Sequence, residues 1–341
     1  MNLTQKTLEI RTSPHILSGM STDTIMRNVV YALLPVAAFA VYAFGLAAAL
    51  VISVSTISTV LTEHVLCRLT KKESTIGDWS AAITGLLYGL TLPPGLPLWM
   101  VFCGGVIAIA LGKFMFGGLG YNPFNPALVG RAVMQAAFPV AITTWHPAFT
   151  TDRFYNLPDS TLTLPFMAPV FKAVTTATPL AQMKFDHKIA DSYDLAMGFV
   201  SGSTGETCAV LILLGGAYLA WRKMMNWRIP AAIFLTVIVL SEFFHYLKPE
   251  IYPDSLFMLL SGGLMLGAVF MATDMVASPM TSRGVMIYGA LIGILVVVIR
   301  LWGGLPEGVM YAILIANAAS PHIDRLVQPR VYGTGGVKRK T

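Results

Sequence analysis

Charge is what this chain has least of. Asp, Glu, Lys and Arg make up 12% of its 341 residues, where a soluble domain carries about 25%. Hydrophobic residues make up 55%, and mean hydropathy is +0.68. So little charge excludes a soluble enzyme and a nucleic-acid-binding surface; the net charge of +6 is better explained by topology. Cysteine is almost absent. Cys67, Cys103 and Cys208 are scattered and fit neither an iron–sulfur nor a zinc spacing, so they are expected as small packing residues. The six histidines are dispersed, and no metal is expected from them. A cleavable signal peptide is not expected either. Residues 1–23 are polar, and the apolar run from Thr24 is long enough to remain as a span.

What the chain has in excess is apolar runs near the ~20 residues a helix needs to cross a bilayer. Lipid leaves no partner for free backbone groups, which excludes open sheets. The fold class is therefore an all-α polytopic membrane protein with about ten transmembrane helices. The spans read as Thr24–Phe44, Leu46–Leu66, Trp79–Leu92, Pro97–Phe116, Ala127–Phe138, Leu195–Trp221, Ile229–Leu247, Ser255–Ala272, Val285–Arg300 and Pro306–Ser320.

Lys and Arg concentrate at 67–78 (Arg68, Lys71, Lys72), at 222–228 (Arg222, Lys223, Arg228) and in the tail (Arg325, Arg330, Lys338, Arg339, Lys340). The loop at 139–194 has four basic residues against five aspartates. The positive-inside rule then puts both termini in the cytoplasm and this loop outside it. The chain divides into a cytoplasmic amphipathic N-terminus (1–23), a first transmembrane half (24–138), an extracytoplasmic loop (139–193), a second half (194–322) and a basic cytoplasmic tail (323–341). Each half holds five spans, some broken by Gly or Pro, and the second starts from the opposite side. That is the pattern of a five-plus-five inverted repeat with a site between the halves.

Several polar stretches interrupt this apolar frame. In Asn122-Pro123-Phe124-Asn125-Pro126 two prolines forbid regular helix. Such backbone survives at membrane depth when buried in protein or lining a cavity. The asparagines either bind a polar ring system there or cap the next helix. Thr84, alone in an apolar run, is expected to bond back to its own helix. Ser201-Gly202-Ser203-Thr204-Gly205-Glu206 should break the sixth span. Glu206 reads either as a plain N-terminal carboxylate of the resumed helix or as a functional intramembrane carboxylate. Asp274, in Ala272-Thr273-Asp274-Met275, reads as a cap or as the entrance to an ion path. Arg300 and Glu307 bracket a Gly303-Gly304 turn and read as interfacial anchors or a local pair. Thr175-Thr176-Ala177-Thr178, stopped by Pro179, cannot belong to a core and offers hydroxyls for a phosphoester link.

Taken in order, several motifs resemble the D subunits of Rnf ion-translocating electron-transport complexes, which are homologous to the B subunit of Na⁺-translocating NADH:quinone oxidoreductase. They include Leu90-Thr91-Leu92-Pro93-Pro94, Gly120-Tyr121-Asn122-Pro123-Phe124-Asn125-Pro126-Ala127-Leu128-Val129-Gly130-Arg131 and Ala177-Thr178-Pro179-Leu180. They continue through Gly202-Ser203-Thr204-Gly205-Glu206-Thr207, Ala272-Thr273-Asp274, Gly303-Gly304-Leu305-Pro306-Glu307-Gly308-Val309 and Pro321-His322-Ile323-Asp324-Arg325. The resemblance covers nearly the whole chain.

It implies covalent FMN on Thr178, joined through its phosphate, with Thr175 as a recognition hydroxyl. Lys172 and Thr176 depart from the family's attachment pattern of Asp-x-x-Ser-Gly-Ala-Thr. It also implies a non-covalent riboflavin at Thr84, Asn122 and Asn125, and an ion path at Glu206 and Asp274. The implied activity is electron transfer between ferredoxin and NAD, coupled to Na⁺ or H⁺ translocation, as one component of a translocase that is not catalytic alone. The implied partners are the A, B, C, E and G subunits, the last with its own covalent FMN, in a bacterial inner membrane. The rival reading is a non-redox channel or transporter of urea-channel-like fold.

Overall fold

A computed structural model describes residues 21–72, 75–165, 167, 177–186, 188–206 and 208–328. Lys172, Thr175, Thr176 and Thr207, residues 1–20 of the N-terminus and residues 329–341 of the tail lie outside the described residues. Regular structure among the described residues is all helical.

The first half comprises α1 (Thr22–Phe44), α2 (Leu46–Leu69), α3 (Ser80–Leu90), α4 (Leu98–Gly112) and α5 (Pro126–Ala137). Three short pieces follow: α6 (Pro139–Thr143), the single turn α7 (Pro179–Ala181) and α8 (Ser192–Met197). The second half comprises α9 (Ala209–Trp221), α10 (Arg228–Leu247), α11 (Ser255–Leu260), the short α12 (Leu264–Leu266), α13 (Ser282–Trp302) and α14 (Val309–Leu326).

Five helical stretches are long and apolar enough to cross a membrane: α1, α2, α4 with the turn after it, α10 and α13. Their outward faces carry exposed Ile57, Leu61 and Val65 on α2, and Leu235, Val239 and Phe243 on α10, as a lipid-facing surface would. Helix boundaries follow local chemistry. Ser21 caps α1, its Oγ accepting from Thr24 N at 3.2 Å. Gly45, with φ +71°, ends α1 and lets the chain reverse directly into α2. Leu46 N donates to Arg153 O at 3.0 Å, which folds the central segment over that turn.

Lipid gives apolar faces no reason to leave it, so close packing has to hold these helices together. Glycines permit it. Gly85 and Gly89 of α3 sit against Ser55 of α2, whose Oγ donates to Gly85 O at 2.9 Å. In the second half a Cβ built on Gly289 of α13 would lie 2.6 Å from Ala232 Cβ, and one on Gly293 2.7 Å from Thr236 Cβ. The order of packing also repeats. In the first half α2 packs on α3 and α4, and α4 on α5; in the second α10 packs on α11 and α13, and α13 on α14. The halves meet where α1 packs on α9 and α5 on α14. Tyr218 Oη and Asn28 Oδ1 lie 2.6 Å apart across the first of these contacts.

Three sequence readings need correction. The span Ser255–Ala272 is not continuous but breaks at Ser261-Gly262-Gly263. Gly262, with φ +65°, takes a conformation a helix cannot hold. The freed backbone groups have dedicated partners. Arg300 donates to Met258 O at 2.5 Å and to Ser261 O at 2.9 Å, and Gly263 N donates to Glu307 Oε1 at 2.5 Å. Arg300 is therefore no interfacial anchor: it is 0% exposed and repairs the break from within. The cysteines also divide. Cys67 and Cys208 are buried, but Cys103 is exposed on α4.

Candidate functional site

Two cavities lie between the halves, towards opposite ends of the bundle. The larger, about 520 Å³, is lined by Thr178, Arg131, Gln135, Glu206, Gly262 and Glu307 among others. Thr178 reaches it because its own backbone is extended and caps α7. Its Oγ1 accepts from Ala181 N at 3.3 Å, and Pro179 supplies the first helical position, where a missing N–H costs nothing. Leu180 anchors the turn in a small apolar cluster with Met183, Leu195 and Phe257. Lys184 clasps the segment to the second half. Its Nζ donates to Arg300 O and Leu305 O, both at 3.1 Å, and to Gly303 O. Burial lowers the Lys184 pKa from its ordinary value.

Arg131, on α5, faces two carboxylates. Its Nη2 lies 3.3 Å from Glu307 Oε2 and its Nη1 4.0 Å from Glu206 Oε1. The expected break at 201–206 is present, and α9 starts only at Ala209. Glu206 is thus not a first-turn carboxylate of the resumed helix. Its Oε2 accepts from Ser203 N at 3.3 Å. The broken segment crosses to the other half: Thr204 N donates to Leu92 O at 3.1 Å, Gly205 N to Leu90 O at 2.7 Å and Thr204 Oγ1 to Gly89 O at 2.7 Å. It thereby supplies donors to the C-terminal carbonyls of α3, which a helix end leaves open.

The second cavity, about 140 Å³, is lined by Thr84, Asn122, Asn125 and Asp274, with Ser80 and Lys113. The three positions expected to hold a ring system are thus brought together, with Asp274 beside them. Thr84 bonds back to its own helix, donating to Ser80 O at 2.9 Å. Asn125 caps α5, accepting from Ala127 N at 3.0 Å, and also donates to Met271 O at 3.2 Å in the other half. Asn122 Nδ2 lies 3.2 Å from Phe124 O and 3.3 Å from Asp274 Oδ2. Asp274 caps its own turn through Val276 N at 3.1 Å. Glu206 and Asp274 line different cavities, so the two do not meet at one point of a path.

Arg131 and a buried ion pair went unread in sequence. Lys113 Nζ is 2.6 Å from Glu63 Oε1 and 2.5 Å from Ser80 Oγ, and Thr75 donates to the same Glu63 oxygen. The available signal was one Glu and one Lys at the inner edges of apolar runs, since charges there must be paired.

Known proteins share this sequence along most of its length. Residues 9–333 match the NQR2, RnfD, RnfE family. The chain is 40% identical over 337 residues to the D subunit of the Na(+)-translocating ferredoxin:NAD(+) oxidoreductase complex of Acetobacterium woodii, covering 98% of both chains. It is 42% identical over 335 residues to the D subunit of the proton-translocating ferredoxin:NAD(+) oxidoreductase complex of Clostridium ljungdahlii, covering 95% of this chain and 96% of the relative. The D subunit of the ion-translocating oxidoreductase complex of Halorhodospira halophila is 35% identical over 340 residues, with 95% of each chain covered.

Proposed function

This chain belongs to the NQR2, RnfD, RnfE family, and from that premise we propose that it is the membrane redox subunit of an Rnf-type ferredoxin:NAD oxidoreductase, carrying FMN on Thr178 and coupling electron transfer to Na⁺ or H⁺ movement. The observation that carries this reading is the position of Thr178. The threonine singled out by its sequence context lines the larger inter-half cavity. At about 520 Å³ that cavity falls in the usual range of small-molecule sites, roughly 300–1,000 Å³. Arg131 supplies a guanidinium whose Nε has no hydrogen-bond partner, a fitting complement to an anionic or carbonyl-bearing ligand.

Bound there, a flavin would supply one- and two-electron chemistry; the protein supplies position and polarity. Thr178 Oγ1 is the attachment atom. Leu180 and Lys184 fix the segment bearing it. Arg131, with Glu206 and Glu307, sets the charge of the walls.

The second cavity fits the riboflavin reading in chemistry but not in volume. Thr84, Asn122 and Asn125 are present and polar, yet about 140 Å³ is less than half the lower bound of roughly 300 Å³ for such sites. A ring system enters only if flexible lining residues such as Met26, Met224 and Met225 rotate away.

The chain acts within a complex of other Rnf subunits in the bacterial inner membrane. Both termini are cytoplasmic, and the Thr178 segment faces outward, where a G subunit with its own covalent FMN is the partner. Peptide mass spectrometry of the chain, co-expressed with its flavin transferase, tests the central claim. The Thr178 peptide should carry the mass of FMN, and the denatured band should fluoresce under ultraviolet light. Thr178→Ala should abolish both. A dark wild-type band would favour a non-redox channel.

A further inference from the structure

The flavin reading gives the two carboxylates beside Thr178 and Arg131 no role beyond the charge of the walls. Their geometry is specific. Glu307 is well served: Oε2 faces Arg131 at 3.3 Å and Oε1 accepts from Gly263 N at 2.5 Å. Glu206 is not. Its Oε2 has Ser203 N, but Oε1 is buried with no hydrogen-bond partner, on a side chain only 7% exposed. Arg131 Nη1, at 4.0 Å from that oxygen, is beyond hydrogen-bond reach.

The two Oε1 atoms converge over Gly263. A Cβ built there would lie 2.6 Å from Glu307 Oε1 and 3.0 Å from Glu206 Oε1. The absence of a side chain at Gly263 is what allows them to approach. The other cations nearby are committed elsewhere. Arg300 donates to the carbonyls of Met258 and Ser261, and Lys184 to those of Arg300, Gly303 and Leu305. Among the described residues neither makes an ion pair with these carboxylates within 4.0 Å.

Two buried carboxylates repel each other, a repulsion that Arg131 and the more distant charge of Arg300 reduce, and a buried acceptor without a donor is costly. One proton removes both costs. It neutralises one carboxyl and supplies the missing donor. We propose that Glu206 and Glu307 bind one proton between them, over Gly263, with Arg131 as the fixed counter-charge. The equilibrium is a carboxyl releasing H⁺ to water to leave a carboxylate, and the reverse. The cavity lined by Thr178 thus has a proton reservoir in its wall, and any change of charge in the cavity shifts its occupancy. This goes beyond the flavin reading and does not rest on it, because the site is built from the chain's own side chains.

Infrared difference spectroscopy of the full chain in detergent, at neutral pH and with exchange into deuterium oxide, reads the proton directly. A protonated carboxyl has a C=O stretch distinct from that of a carboxylate. Glu206→Gln should remove one carboxyl's worth of that intensity. Glu307→Gln should remove it too, because Arg131 is then free to pair with an ionised Glu206. Glu206→Asp, which keeps the carboxyl, should shift the band without removing it, so the assignment stands even where a glutamine variant fails to fold. In the chain expressed without its flavin transferase, Thr178→Ala should leave the band unchanged, which separates this test from that of the flavin. An unchanged band in Glu206→Gln overturns the proposal. So does a band lost in Glu206→Gln but intact in Glu307→Gln, which would mean an isolated acid. A band that sodium ions abolish at constant pH would make the pair a sodium site and overturn the proton assignment.

Discussion

His146 lies in the segment that folds over the α1–α2 turn, its ring packed where a Cβ on Gly95 would stand. Burial lowers its pKa from the ordinary value. Above about pH 6.5 both folded and unfolded imidazoles are neutral. As pH falls below that, the unfolded chain takes up the proton first, so stability is lost as pH approaches the folded-state pKa. Hydrogen–deuterium exchange of the 146–160 segment should accelerate as pH falls through this window, after correction for intrinsic rates. His146→Phe should flatten that dependence.

Lys113 makes a second residue-scale case. Removing one partner of a buried ion pair strands the other, at about 3–5 kcal/mol. Lys113→Met should therefore lower the thermal unfolding midpoint sharply, and adding Glu63→Gln should restore most of it. A double variant no better than the single would disprove the pairing. At this scale sequence was informative where the residue type was odd for its setting. Thr84 bonds to its own helix and Asn125 caps the next one, as their surroundings imply. The partners of Glu63 and Arg131 were not legible, because each lies far along the chain, just outside a helix or in a break, and no local spacing encodes it.

Among the elements, the breaks carry the site. Ser201–Glu206 was readable because hydroxyls and glycines cluster around a carboxylate. Ser261-Gly262-Gly263 was not, because small residues are also what tightly packed transmembrane helices contain. What distinguishes the second break is a pair of remote residues, Arg300 and Glu307, that satisfy the opened backbone. The two breaks predict different sensitivities. At Gly205 a Cβ would stand 2.7 Å from Leu90 Cβ and 2.9 Å from Leu90 O, and would push the broken segment off α3. Overpacking of this kind costs about 1–3 kcal/mol. At Gly262 an added Cβ meets a positive φ as well. Gly205→Ala and Gly262→Ala should both lower the unfolding midpoint in detergent, while Gly304→Ala, with open space around it, should not. Equal midpoints across all three would argue that these breaks do not set the packing.

In the whole molecule the two halves repeat one order of packing with little shared sequence. Apolar runs were enough to read an all-helical membrane frame interrupted by a polar segment. They could not show which helices of one half touch the other, since that depends on long-range contacts. Those contacts are α1 on α9, α5 on α14, the Thr204–Leu92 crossing and the Asn125–Met271 bond. They are many, and they lie along the whole depth of the bundle. Association of the halves should therefore not need the peptide link between them. Cutting the chain between Leu164 and Ala177 and co-expressing the fragments should yield a pair that copurifies through a tag on either one. Asn28→Ala with Tyr218→Phe removes the 2.6 Å bond between α1 and α9. At about 0.5–1.5 kcal/mol for such a bond, that change should weaken the fragment pair while leaving the intact chain folded. Fragments that never associate would place the cohesion of the two halves in the linker instead.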